Sequence, residues 1–181
     1  MLPTKRKIVR IGCQDLRKNG LQQWSNCGNS TMEIFPDFKE LLELFNGKKV
    51  EYVIVGGYSL ALHGVPRYTG DIDLFVKPDP QNAARIIDAL FDLGFGGIGL
   101  TLQDFEKPDN VIQLGVAPVR IDIMTSLTGV TWEEVCLNRE KGFFGDVPVC
   151  YIGRNELIAN RRKLGRSKDI ADLESLGADD L

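Results

Sequence analysis

Three aspartates set inside apolar, β-branched runs constrain this chain more than any other feature. Asp71 and Asp73 belong to D-I-D-L-F-V (71–76), and Asp122 belongs to V-R-I-D-I-M (119–124). Both runs predict strands. Residues i and i+2 of a strand share a face, so Asp71 and Asp73 point one way while Ile72 and Leu74 alternate with them. Like charges this close repel, and burial beside apolar residues adds to the cost. A divalent cation removes that penalty, and hard oxygen ligands favour Mg2+ or Mn2+. A solvated strand edge is the plainer alternative. Asp122 shares a face with Arg120 and Met124, where an unpaired carboxylate is expensive. It is either a third ligand of the same cluster or the partner of a salt bridge to Arg120 or Arg67.

The 181 residues suit one domain, or one domain plus a tail, and 43% apolar content is enough to bury a core. No run approaches the roughly 18 apolar residues of a membrane helix. The basic start, MLPTKRKIVRIG, is not followed by an apolar run or cleavage site, so no secretory signal and no membrane association are expected and the cytoplasm is the expected location. Cys13, Cys27, Cys136 and Cys150 show no CxxC pairing and are expected as reduced thiols rather than a zinc site. Residues 1–31 carry six Lys/Arg against one acid, Asp15, whereas the other 150 residues hold 16 basic and 24 acidic groups. An acidic body argues against broad duplex binding but allows a small anionic substrate in a local basic pocket.

Residues 1–31 lack periodicity and are expected to be a poorly ordered basic tail or an arm for a partner, with the domain spanning 32–181. Met32 is an alternative start. Phe38, Leu41, Leu42 and Phe45 recur at helix spacing, V-E-Y-V-I-V (50–55) predicts a strand, and Y-S-L-A-L-H-G a short helix. A helix from Asp79-Pro80 to Leu93 would bury Ala84, Ile87, Leu90 and Phe91. Strands N-V-I-Q-L-G and V-R-I-D-I-M flank a turn at Ala117-Pro118, a helix starts near Thr131, V-P-V-C-Y-I is a strand, and 153–176 holds one or two helices. The pattern describes an α/β (α+β) domain with a small mixed β-sheet flanked by helices.

Val55 runs into Gly56-Gly57 and then a helix, a junction whose backbone N–H groups can approach an anion, with Ser59 able to donate its hydroxyl to a phosphate. An ordinary turn is the alternative, and the segment is neither a dinucleotide fingerprint nor a P-loop. Arg161, Arg162, Lys163, Arg166 and Lys168 form a basic C-terminal cluster, either an anion site or a solvated face with Lys168 paired to Asp172. Arg67 lies in the loop ahead of the acids, within reach of a phosphate. His63 fits a helix terminus better than catalysis.

Taken together, V-G56-G57-Y-S59, thirteen residues (58–70), D71-I-D73-L and the later Asp122 resemble the signature of the DNA polymerase beta-like nucleotidyltransferases. The wording from Tyr52 to Val76, with R166-S-K168-D169-I-A-D172-L, looks like the minimal bacterial nucleotidyltransferases of the DUF6036 and AbiEii-like groups. The resemblance covers roughly Glu33 to Leu176 and leaves out residues 1–31. It implies that Asp71, Asp73 and Asp122 are catalytic and bind two Mg2+, with Mn2+ as a substitute. It implies that Gly56, Gly57 and Ser59 contact the β- and γ-phosphates of an NTP; by their positions in the loop and the basic helix, Arg67 and Lys168 are expected beside them. The implied activity is transfer of a nucleoside monophosphate to a hydroxyl of a protein, RNA or small molecule, in a toxin–antitoxin or defence setting and with a helical partner protein. A catalytically inactive nucleotide-binding or regulatory protein of the same fold is the alternative.

Overall fold

The computed structural model describes residues 5–9, 35–116 and 119–178. In chain order the elements are β1 (Lys5–Val9), α1 (Pro36–Gly47), β2 (Tyr52–Val55), α2 (Gly56–Leu62), β3 (Asp71–Val76) and α3 (Pro80–Leu90). After a π-helical turn, Phe91–Phe95, come α4 (Gln103–Glu106), β4 (Asn110–Val116), β5 (Val119–Met124), α5 (Trp132–Leu137), β6 (Glu140–Phe144), β7 (Val147–Tyr151), α6 (Arg154–Leu164) and α7 (Ser167–Ser175). The strands form one seven-stranded sheet in the order β1-β4-β5-β3-β2-β7-β6. Pairs β1/β4, β3/β5 and β2/β7 are parallel, and β2/β3, β4/β5 and β6/β7 antiparallel. This is the mixed α/β sheet flanked by helices that the sequence predicts.

Alternation along the strands divides the core in two. Ile54, Ile72, Leu74 and Val76 pack with Phe38, Leu41, Leu42 and Phe45 of α1 and Ala83 and Ile86 of α3. Val53, Val55 and Phe75 pack on the other face with Trp132, Val135, Leu157, Ile158 and Leu173, from α5, α6 and α7. Asp71 and Asp73 share the face of Phe75, so the acids lie on the α5–α7 side.

Several local expectations are shifted. In α3 the buried residues are Asn82, Ala83, Ile86, Ala89 and Leu90, while Ala84 is exposed and Phe91 is 67% exposed. The stripe is rotated because Asn82 is fully buried as a polar anchor. It accepts from the Glu51 backbone N–H at 2.8 Å and donates to the Glu51 and Lys77 carbonyls at 3.0 Å each. Asp79 caps the helix by accepting from the Asn82 N–H. Lys5–Val9, within the expected tail, instead forms the edge strand β1, whose Lys7 pairs with Asp104 at 2.6 Å. The rest of that tail and Met32 lie outside the described residues, as do Cys13, Cys27 and the Ala117-Pro118 turn. Cys136 and Cys150 are free and half-buried. Among the described residues no helix is long and apolar enough to cross a membrane.

Candidate active site

The register of β3 against β5 decides where the three aspartates stand. Asp73 pairs with Asp122 across the parallel strands, and Asp71 with Arg120. On its other side Asp73 pairs with Val55, the residue before Gly56. Neighbouring strands lie about 4.8 Å apart, so Asp71, Asp73, Arg120 and Asp122 occupy one patch of one face. All four alternate with apolar residues, Ile72, Leu74, Ile121 and Ile123, that are sunk into the opposite core.

The carboxylates differ in their partners. Asp122, 7% exposed, accepts from Arg120 Nε at 2.8 Å, Arg120 Nη2 at 3.0 Å and Gln113 Nε2 at 3.1 Å. Asp71 accepts from Thr69 Oγ1 at 2.5 Å and from Arg120 Nη2. Arg120 therefore bridges Asp71 and Asp122, the salt bridge left open by the sequence, while Arg67 pairs elsewhere. Asp73 has no ion pair or hydrogen bond among the described residues. Burial first, and then the charges of Asp71 and Asp122, push its pKa up to about 7, against the pull of Arg161 and Lys168.

Gly56 and Gly57 serve this patch by leaving room. Gly56 has φ +70°, and a Cβ there would collide with the Asp73 carboxyl. A Cβ on Gly57 would stand 2.9 Å from Thr69 Cβ, against the side chain that holds Asp71. The pair brings α2 over the acids at a distance no larger residue permits. Ser59, expected beside a phosphate, is instead fully buried, and its hydroxyl donates to the Ile54 carbonyl at 2.7 Å. Its expected phosphate contact is corrected by that burial: the hydroxyl closes the β2–α2 junction.

Two cations of the C-terminal hairpin, Arg161 and Lys168, favour the charged form of Asp73. Lys168 is exposed, forms no ion pair among the described residues, and acts on Asp73 together with Arg161. The alternative pairing of Lys168 with Asp172 is absent, because Asp172 is taken by Arg161 at 3.0 Å and Arg67 at 3.3 Å. Sequence reasoning missed this network, since it depends on how α6, α7 and the 63–70 loop meet. His63 sits at the end of α2 with Nε2 2.9 Å from the Ile152 carbonyl. A cavity of about 630 Å3 lies to one side, between β2, β6, β7 and α5; its Trp132 wall packs against Phe75 rather than opening on the acids.

Among the described residues no three acidic, histidine or cysteine side chains stand ready-made as a metal cage, since Arg120 occupies the space between Asp71 and Asp122. The chemistry of the donors nevertheless fits a hard divalent ion. Three carboxylates stand on one face of β3 and β5, and Asp73, whose ionisation Asp71 and Asp122 oppose, has no hydrogen bond or ion pair to its carboxylate among the described residues.

The fold has counterparts among solved structures. A proposed nucleotidyltransferase of Thermotoga maritima superposes with a TM-score of 0.53 at 17% identity, covering 81% of this chain and 96% of that one. The lincosamide antibiotic adenylyltransferase LnuA, in its lincomycin-bound structure, gives 0.51 at 15% identity, covering 79% and 96%. No protein-family model and no curated protein matches the sequence. At these identities the likeness is one of fold: the chain adopts the nucleotidyltransferase fold.

Proposed function

We propose that this chain transfers a nucleoside monophosphate from an NTP to an acceptor hydroxyl and releases pyrophosphate. The observation that carries the proposal is the placement of Asp71, Asp73 and Asp122 side by side on β3 and β5, on a fold shared with nucleotidyltransferases. The acceptor oxygen forms a bond to the α-phosphorus, the bond from that phosphorus to the β-phosphate oxygen breaks, and the hydroxyl proton departs. Two Mg2+, or Mn2+, held by the three carboxylates would supply the positive charge that such an in-line displacement needs. Asp122 receives the acceptor proton. The Gly56-Gly57 backbone, Arg67 and Lys168, which has no ion pair among the described residues, hold the phosphates; the Arg67 side chain is 41% exposed.

The acceptor is a hydroxyl of a protein, RNA or small molecule, and the lincomycin-bound neighbour is a precedent for the last. The sequence resemblance to the DUF6036 and AbiEii-like groups supports a toxin–antitoxin or defence setting in the cytoplasm, with a helical partner protein. One observation favours a second reading, an inactive nucleotide-binding protein of this fold: Arg120 satisfies two of the three acids without any metal.

Incubation with each α-labelled NTP, Mg2+ or Mn2+ and a cell extract distinguishes the two. Label should pass to an acceptor with wild type and not with a folded Asp73→Ala variant. Equal labelling by both would dismiss the site, and NTP binding without transfer would select the second reading.

A further inference from the structure

Three charged side chains are buried where α6 and α7 meet: Arg161 (6% exposed), Asp169 (0%) and Asp172 (5%). Asp169 is satisfied within its own helix start. Arg166 grips it with Nε at 2.6 Å and Nη2 at 3.1 Å. Asp172 is different, because its partners come from two other elements. Its Oδ1 lies 3.3 Å from Arg67 Nε, in the loop that enters β3, and its Oδ2 lies 3.0 Å from Arg161 Nε on α6. The second contact is an ion pair without a directed hydrogen bond, since neither atom has a hydrogen-bond partner among the described residues.

A buried pair of this kind is a poor device for stability, because apolar side chains of similar volume serve as well or better. Its distinctive product is geometric. Asp172 ties Arg67 of the 63–70 loop, four residues before Asp71, to α7 and, through the buried Arg161, to α6. Arg67 is held through Nε, and its side chain is 41% exposed.

We propose that Asp172 is a positioning residue: held by the buried Arg161 of α6, it fixes Arg67 so that this half-exposed guanidinium meets the phosphate chain of an NTP beside the carboxylates. This rests on the nucleotide-binding half of the proposed function and not on turnover. Because binding alone is at issue, calorimetric titration of the whole protein with inorganic triphosphate tests it even if transfer is never seen. Asp172→Asn should weaken triphosphate binding about tenfold, the mid-range for coupled charged neighbours. Asp172→Glu should restore most of the loss, which a merely structural role would not predict. Arg67→Gln, at a half-exposed position, should fold normally and weaken binding to a similar degree, and the double variant should be no worse than either single one. Triphosphate affinity unchanged in Arg67→Gln, multiplicative losses in the double variant, or no binding by wild type would each overturn the proposal.

Discussion

Replacing Gly56 by alanine isolates the contact on which the geometry of the acids depends. Two costs arise from the structure. The backbone at φ +70° is left-handed, which costs about 1–2 kcal/mol for a residue with a Cβ. The new methyl would also overlap the Asp73 carboxyl, and relieving that overlap by moving the side chain costs about 1–3 kcal/mol more. The expected loss is therefore about 2–5 kcal/mol, read from urea unfolding at constant m-value. The two parts are separable by a double-mutant cycle. In an Asp73→Ala background the carboxyl is gone, so Gly56→Ala should there cost only the backbone term plus the residual contact between β-carbons. The coupling between the two substitutions should then amount to about 1–2 kcal/mol. Activity should fall in parallel, because any accommodation displaces Asp73. A Gly56→Ala protein as stable as wild type would refute the argument, and equal costs in both backgrounds would remove Asp73 from it.

Asp73→Asn tests the electrostatic strain. A carboxyl whose folded pKa is raised from 3.8 to about 7 makes the fold progressively less stable as pH climbs between those values, because the unfolded chain ionises first. In chelator, Asp73→Asn should therefore be the more stable protein at pH 8, by roughly 2 kcal/mol after allowing for solvent screening, with the gap closing towards pH 4 in thermal or urea melts. Arg120→Leu leaves Asp71 and Asp122 without their shared cation, so metal-free protein should lose about 2–4 kcal/mol, much of it recovered on adding Mg2+; a melt indifferent to Mg2+ would count against the cluster. Asn82→Ala should cost about 2–3 kcal/mol in urea unfolding, because it strips three backbone groups of their partner.

The residues that build the acid patch were the most legible in the sequence. D-I-D-L-F-V and V-R-I-D-I-M became β3 and β5 with the bounds of the apolar runs, because β-branched residues alternating with acids fit little else. That Asp73 and Asp122 would stand in register was not written in either run, since strand pairing is tertiary. Strand β6 escaped notice because E-K-G-F-F is mostly exposed and contains a glycine, as an edge strand tolerates. Helix α3 was found but rotated, because a buried Asn82 outweighs the apolar stripe when it satisfies three backbone groups. Ser59 departs from the expectation for a related reason: its buried hydroxyl donates to the Ile54 carbonyl of the preceding strand. The Asp172 network was invisible, as its partners lie 11 and 105 residues away in the chain.

The central claim is that Asp71, Asp73 and Asp122 act as one ligand set for divalent ions. Titration of Mn2+ followed by electron paramagnetic resonance, in the presence of a non-hydrolysable NTP, measures this directly. Two bound Mn2+ per chain are predicted for wild type, with loss of binding when any one of the three aspartates becomes asparagine. Undiminished Mn2+ binding by the Asp122→Asn protein, or none by wild type, would contradict the account.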